Sequence, residues 1–361
     1  MNGGRARAGV QNANSPWRLQ FGDEASACPA CLSSRITLLD VFPVRRTPQR
    51  RRLAFITGCQ SCGLLFSNPL PTEEDLKRHY SDQGPWATAR SARMASRSDT
   101  TSRSKQKEGK ERPTKRSVPS RGPGPVVSAL APYAPVHDPP SGAKVLDFGC
   151  GDGKFLNRLQ DRGWETSGIE PSTTVAFLRH RRLTSPPQDG SFELVVLNHV
   201  LEHVINPLGL LRQLAGSLRE GGVLFVSVPR LDTLPQHGDL KYCLNHRHVV
   251  CFSETCLRGL LARAGFATTA RLDAKELDEA FTEGKPLRLR LVATRTARPS
   301  RPPNAPLAPA VKALALHART DRGIAAGIRR LLPVRLRAAL MDRKMKRQFA
   351  ESKRRPSASA L

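Results

Sequence analysis

Short apolar runs alternate with helical repeats through the second half of the chain. Buried strands are predicted at the runs VLDF, FELVVLN, VLFVSVPR and LRLRLVATR, which are rich in valine and leucine. Between them, the stretch 206–222 carries leucines at helical spacing and ends in glycines that suit a helix C-terminus. The stretch 253–266 opens with the N-cap residue Ser253 and stops at Gly265. This alternation predicts an α/β fold with a doubly wound, mostly parallel sheet that helices cover on both faces.

A glycine-rich turn follows the first of these strands, in the segment VLDFGCGDGKF. Its glycines let the backbone turn tightly and approach a ligand closely, and they are Gly149, Gly151 and Gly153. The next strand ends in GIEPS, where Glu170 can accept hydrogen bonds from two ribose hydroxyls. Because ligands of such sheets bind beyond the carboxyl ends of the strands, we predict a nucleoside site at this edge.

Acidic residues in the turn indicate the kind of nucleoside. Asp147 and Asp152 would repel a pyrophosphate but would tolerate a cationic ligand without phosphate, and the G-x-G-x-G spacing differs from the dinucleotide fingerprint. The turn resembles motif I of the class I S-adenosylmethionine-dependent methyltransferases, and GIEPS resembles their ribose-binding strand end. This resemblance covers about residues 143 to 295. A glycine turn in an unrelated α/β domain is the alternative.

The resemblance implies a Rossmann-like domain with S-adenosylmethionine as its cofactor. Asp147 and the three glycines would shape the cofactor loop, Glu170 would hold the ribose, and Asn198 would lie near the methionine moiety. Between Glu170 and Phe192 the chain has fewer residues than such domains use for a helix, a third strand and an acidic turn. We therefore expect a third strand that is shortened or lost, with one wall of the adenine site opened.

Four of the eight cysteines form two C-x-x-C pairs, Cys28/Cys31 and Cys59/Cys62, about 27 residues apart. Two such pairs present four thiolates to one tetrahedral ion, usually Zn²⁺. Disulfides are disfavoured because the N-terminus lacks the apolar run of a secretory signal, and the βαβ setting of a thioredoxin-like redox pair is absent. We predict a zinc ribbon whose metal is structural, since four cysteines leave no open coordination position.

The modules together resemble bacterial methyltransferases with an N-terminal zinc-binding domain, many of which act on sugars, including by C-methylation. The resemblance implies His248 as general base and His203 and His246 as substrate-positioning or proton-handling groups. Where that family has Y-H-E-H-x-x-x-F, this chain reads NHRHVVCF. Arg247 therefore replaces a carboxylate, which would lower the basicity of a neighbouring histidine and would suit an anionic acceptor.

The net charge of +27 is distributed unevenly along the chain. Residues 126–294 carry a net charge of only +1, whereas residues 83–125 carry +8 and residues 295–361 carry +14. The predicted order is a flexible N-terminus (1–22), the zinc ribbon (23–82), a disordered basic linker (83–125), the methyltransferase domain (126–295) and a basic, partly helical tail (296–361). The tail is expected to dock on the domain, to touch an anionic membrane surface or to bind nucleic acid.

The predicted function is methyl transfer from S-adenosylmethionine to a small polar molecule, such as a sugar or nucleotide sugar, in the cytoplasm. Two alternatives stay open. An RNA methyltransferase would use the basic linker and tail for affinity, although aromatic residues that could stack on bases are sparse there. A non-catalytic zinc-binding scaffold would have kept the fold and lost the cofactor. No stretch reaches the length of about 18 apolar residues that a membrane-spanning helix needs.

Overall fold

The computed structural model describes residues 23–43, 53–81, 125–172, 179–233, 244, 247–272, 288–298, 333–336, 338–340 and 342–343. The predicted N-terminus 1–22, nearly all of the linker 83–125 and most of the tail 296–361 lie outside these residues, as does His246. Among the described residues, no helix has both the length and the apolar character needed to cross a bilayer.

The N-terminal module is a small antiparallel sheet followed by one helix. Its strands are β1 (Ile36–Pro43), β2 (Leu53–Cys59) and β3 (Leu65–Asn68), and the helix is α1 (Glu73–Tyr80). Thr72 caps α1, because its hydroxyl accepts a hydrogen bond from the Asp75 N–H at 3.2 Å. Strands β1 and β2 lie between Cys31 and Cys62, within the segment 23–82 that the sequence predicts to be a zinc ribbon.

Seven strands form the second sheet. They are β4 (Lys144–Phe148), β5 (Glu165–Ile169), β6 (Arg181–Arg182), β7 (Phe192–Asn198), β8 (Leu218–Pro229), β10 (Phe266–Arg271) and β11 (Arg288–Arg295). Their order is β10-β11-β8-β7-β4-β5-β6. The strands from β8 to β6 run parallel, and β11 lies antiparallel between β8 and β10. The predicted α/β fold with a mostly parallel sheet is confirmed.

Four helices accompany this sheet, namely α2 (Pro125–Leu130), α3 (Lys154–Gln160), α4 (Pro207–Ser217) and α5 (Glu254–Arg263). The predicted start and stop of α5 are confirmed, since the Ser253 hydroxyl accepts from the Cys256 N–H at 3.2 Å and Gly265 has φ +91°. The prediction that α4 would end at the glycines 221–222 was wrong. The helix ends at Ser217, because Leu218 is fully buried and pairs with Phe192 at the beginning of β8.

Strand β6 is only two residues long and lies at the edge of the sheet, where Arg181 and Arg182 pair with Ser167 and Gly168 of β5. The expected shortening of the third strand is therefore observed. Two residues form only a short ladder, so most of β5 has no strand paired along its outer side.

The two modules share one sheet and one hydrophobic core. Strand β9 (Val250–Cys251) leaves the second module and pairs with Leu65 and Phe66 of β3, which gives the N-terminal sheet its fourth strand. Next to β9, the Val249 carbonyl accepts from the Ser67 N–H at 3.0 Å, and the Val249 N–H donates to the Glu202 carbonyl at 2.8 Å. One continuous cluster of buried side chains contains residues of both modules. The modules therefore form a single packed unit at this junction.

The described part of the tail contacts the N-terminal module. Arg335 lies 3.0 Å from the Glu24 carboxylate and stacks over the Phe55 ring at 5.5 Å. This contact lies on the N-terminal module, whereas the sequence predicts docking of the tail on the methyltransferase domain, which stays a prediction. The contact is exposed and is worth little energy by itself.

Because Phe66 is fully buried in the shared cluster, we expect Phe66→Ala to lower the free energy of unfolding of the whole described unit by about 3–5 kcal/mol. The measurement is urea denaturation of the zinc-loaded protein, followed by far-ultraviolet circular dichroism. Leu32→Ala is the matched control, since Leu32 is 80% exposed in the same module and its truncation should stay within about 0.5 kcal/mol. Separate unfolding of the N-terminal module, with the rest unaffected, would contradict a shared core.

Candidate functional site

The glycine turn after β4 has the backbone conformation that its sequence predicts. Gly149, Gly151 and Gly153 have φ values of +78°, +55° and +69°, in the left-handed region that favours glycine. The Gly149 N–H donates to the Ile169 carbonyl at 2.7 Å, which ties the turn to the end of β5. A Cβ at position 149 would lie only 2.5 Å from Val200 Cγ2. The turn therefore tolerates no side chain at this position.

Glu170 lies at the end of β5 and holds the same turn in place. Its Oε2 accepts from the Gly151 N–H at 3.0 Å, and its Oε1 accepts from the Ser172 N–H at 3.2 Å. The Arg182 guanidinium donates to the main-chain carbonyls of Glu170 and Ser172 at 3.0 and 3.1 Å. Although β6 is short, its second residue thus braces the strand end that carries the predicted ribose ligand.

The electrostatic character of this edge of the sheet is acidic. Asp147 is buried at the end of β4, and burial together with the nearby charge of Glu170 raises the pKa of its carboxyl to about 7. Asn198 is exposed at the end of β7, along the same carboxyl edge. Two carboxyls that resist ionising together favour a ligand with positive charge and no phosphate. The predicted loop residues, Glu170 and Asn198 are all brought to this edge.

A second group of polar side chains gathers around the 3₁₀ turn that follows β7 (Leu201–His203). The Tyr80 hydroxyl, at the end of α1, lies 2.9 Å from His203 Nδ1, and the Arg247 carbonyl lies 3.0 Å from the same nitrogen. The imidazole rings of His203 and His248 meet edge to face with centroids 4.8 Å apart. Two of the three predicted catalytic histidines are therefore neighbours, while His246 lies outside the described residues.

The environment of this group favours neutral side chains. Burial raises the pKa of Tyr80, and Glu202 and Glu170 raise it further, while Arg247 opposes them. Burial also lowers the pKa of His203. The histidine group also begins next to the glycine turn, because Val200, the residue directly before the 3₁₀ turn, packs against Gly149.

Two members of this group, Tyr80 and Glu202, were missed as site residues by sequence reasoning. Tyr80 ends the segment TEEDLKRHY in the other module, so no spacing along the chain links it to His203. Glu202 stands directly before His203 in the sequence, but only its burial and its bond to His199 distinguish it from a helix-capping residue.

The four predicted zinc ligands converge. Cys28 Sγ lies 3.6 Å from Cys62 Sγ, and Cys31 Sγ lies 3.5 Å from Cys59 Sγ. All four sulfur atoms lie within 4.8 Å of one another. A tetrahedral Zn²⁺ with Zn–S bonds of about 2.3 Å needs sulfur atoms about 3.8 Å apart, so the cluster fits the ion.

We expect Cys59→Ser to abolish zinc binding, because the ion would lose one of four thiolates from a closed site. The measurement is zinc content per chain by plasma mass spectrometry after dialysis. Cys150→Ser is the matched control and should keep its zinc, since Cys150 is buried near the glycine turn and outside the cluster. Acidification should also release the metal, because protonation of thiolates competes with it. Full zinc retention in Cys59→Ser would contradict the assignment.

Comparison with known proteins agrees with this geometry. Residues 121–271 match a family model described as a methyltransferase domain. The curated Ubiquinone biosynthesis O-methyltransferase of Xanthomonas axonopodis pv. citri (strain 306) is 32% identical over 126 residues, which are 29% of this chain and 53% of that protein. The chain thus spans about half the length of the curated relatives it matches.

Two solved structures are also similar. An S-adenosylmethionine dependent methyltransferase from Mesorhizobium loti is 20% identical with a TM-score of 0.36, covering 46% of this chain and 96% of that one. The 1,6-didemethyltoxoflavin-N1-methyltransferase of Burkholderia thailandensis, solved with S-adenosylhomocysteine, is 18% identical with a TM-score of 0.39, covering 70% and 99%. By its sheet topology and its match to the methyltransferase-domain model, this part of the chain has the Rossmann-like α/β fold of class I methyltransferases.

Proposed function

We propose that this protein transfers a methyl group from S-adenosylmethionine to a hydroxyl of a small polar molecule. The observation that carries the proposal is the contact between Glu170 and the glycine turn, with Glu170 Oε2 3.0 Å from the Gly151 N–H. It holds a carboxylate beside a turn that contains three glycines, at the carboxyl ends of β4 and β5. An adenosine ribose needs this combination of a two-oxygen acceptor and close backbone approach.

The residues present fit the cofactor. Glu170 is 8% exposed and its two carboxylate oxygens now accept from backbone N–H groups, so they are already oriented toward the turn. Asp147 and Glu170 together make the site acidic, which favours a sulfonium or an ammonium group over a phosphate. When bound, S-adenosylmethionine supplies a methyl group that its positive sulfur has already activated.

The residues around His203 are proposed to position the acceptor and to receive its proton. The chain has to place the acceptor oxygen in line with the methyl group, exclude water and receive the hydroxyl proton. Tyr80, His203 and His248 contact one another in a row, and burial lowers the pKa of His203, which favours the neutral imidazole that can accept a proton. His246 lies outside the described residues and stays a predicted positioning or proton-handling residue. In the transfer, the acceptor oxygen forms the new bond to carbon and the carbon–sulfur electron pair returns to sulfur.

The acceptor is proposed to be a hydroxyl compound on two grounds. The curated relatives carry the name Ubiquinone biosynthesis O-methyltransferase. Independently, Arg247 stands where the sugar C-methyltransferases have a carboxylate, so the second acid that carbon methylation would use is replaced by a cation. A sugar or nucleotide sugar remains within the proposal, because Arg247 would suit an anionic group on the acceptor.

The zinc ion is proposed to be structural. Four thiolates close its coordination sphere, and no open position remains for a substrate. A cytoplasmic location stays a prediction. Contacts of the linker and tail with nucleic acid or anionic membranes also stay predictions, because those two segments lie almost wholly outside the described residues.

We expect Glu170→Gln to weaken binding of S-adenosylhomocysteine at least about tenfold, since a hydrogen bond to a charged group contributes about 1.5–3 kcal/mol. Isothermal titration calorimetry of the full, zinc-loaded chain measures the affinity. Glu165→Gln is the matched control, because Glu165 begins the same strand at its opposite, exposed end.

Two outcomes would overturn parts of this proposal. Equal affinity of Glu170→Gln and the unaltered chain would remove Glu170 from the cofactor site. No binding by the unaltered, folded chain would favour the non-catalytic scaffold, with the two-residue β6 as its physical cause. If the ligand binds, production of S-adenosylhomocysteine is then followed with catechols, nucleotide sugars and RNA as acceptors, and turnover with RNA alone would favour the nucleic-acid alternative.

A further inference from the structure

Glu202 is a buried carboxylate that the proposed cofactor site does not use. It is 1% exposed, and its Oε1 accepts a hydrogen bond from His199 Nδ1 at 3.0 Å. Its Oε2 is buried and has no hydrogen-bond partner within the part of the chain that the structure describes. Leaving a buried charged oxygen without a partner is costly, so a native fold that keeps one has a reason to do so.

A buried carboxylate with one oxygen unsatisfied is a site that a cation would complete.

Two imidazoles stand near the Glu202 carboxylate. One carboxylate oxygen of Glu202 and one ring nitrogen each of His203 and His248 all lie within 4.8 Å of one another. His203 Nδ1 lies 3.0 Å from the Arg247 carbonyl, so Nδ1 carries the proton of that hydrogen bond and Nε2 keeps a lone pair. Histidines that bind metals usually donate their other ring N–H to a carbonyl or carboxylate in this way.

We propose that Glu202, His203 and His248 bind one divalent transition-metal ion. Two imidazoles and one carboxylate form a known ligand set for catalytic ions, which leaves at least one coordination position for water or substrate. Nitrogen and oxygen donors without sulfur suit Mn²⁺, Fe²⁺, Co²⁺ or Zn²⁺. This site is separate from the four-cysteine cluster, whose donors are all thiolates.

His199 is a positioning residue in this arrangement. It has φ +59°, a left-handed conformation that is uncommon outside glycine, and its N–H donates to the Ser227 carbonyl at 2.9 Å. Strained residues of this kind persist where the surrounding structure holds them. Here the conformation directs Nδ1 at the Glu202 carboxylate, which orients that carboxylate toward the two histidines.

The consequence for catalysis rests on the proposed function. An ion at this place would coordinate the acceptor hydroxyl and lower its pKa, so the hydroxyl proton could pass to solvent. His203 and His248 would then be ligands, and the ion would replace them in activating the acceptor. The acceptor class would be one that presents an oxygen donor, or two adjacent ones, to the metal.

The test uses Mn²⁺ as the probe, added to the full chain with its cysteine site loaded with zinc. Loss of the electron paramagnetic resonance signal of aqueous Mn²⁺ reports binding. We expect one Mn²⁺ per chain, and at least about tenfold weaker binding in both His248→Ala and Glu202→Gln. His199→Ala should weaken binding by about 10–100-fold through misorientation of the carboxylate. His137→Ala, at an exposed position before β4, is the control that should leave the affinity unchanged.

Zinc content and S-adenosylhomocysteine binding are measured on the same samples, which shows that each variant is folded. Binding of the cofactor product without Mn²⁺ binding would overturn the metal site and leave the proposed function standing. Mn²⁺ binding without cofactor binding would support the metal site and overturn the proposed function. Mn²⁺ binding that is unchanged in folded His248→Ala and Glu202→Gln would place the ion elsewhere and overturn the assignment.

Discussion

The pairing of β3 with β9 is the interaction on which the arrangement of the acceptor side depends. It joins Leu65 and Phe66 of the N-terminal module to Val250 and Cys251, directly after His248. The main chain of Val249 extends this junction, because it bonds to Ser67 on one side and to Glu202 on the other. Without this junction, Tyr80 at the end of α1 would have no reason to lie near His203.

A zinc ion in the four-cysteine cluster would stabilise the proposed acceptor side through this junction. Cys59 ends β2 and Cys62 precedes β3, so the four-cysteine cluster holds the turn between the two strands that carry the junction. An ion bound there would support the register of β3, and β3 pairs with β9 directly after His248. These contacts give a physical reason for the two modules to occur in one protein.

The two halves of the candidate site use opposite electrostatic arrangements. On the cofactor side, Asp147 and Glu170 give an acidic character to the glycine-rich turn. On the acceptor side, Glu202 is surrounded by three imidazoles, and Arg247 adds positive charge at the rim. A cationic methyl donor and an oxygen-bearing acceptor would each meet a complementary environment. The cofactor side keeps its geometry although β6 is short, because Arg182 donates hydrogen bonds to the carbonyls of Glu170 and Ser172 at the end of β5.

The sequence by itself determined the features that depend on local chemistry. Alternating apolar runs and leucine repeats predict the strands and most of the helices, the glycines predict the turn after β4, and the C-x-x-C pairs predict the cysteine cluster. The C-terminus of α4 was placed wrongly, because the burial and pairing of Leu218 outweigh the preference of glycine for helix ends. Only the tertiary structure decided which distant residues meet. Tyr80 joins His203, Val249 links Glu202 to the N-terminal module, and Glu202 gains two imidazoles, because strand pairing and burial act between segments that share no spacing along the chain.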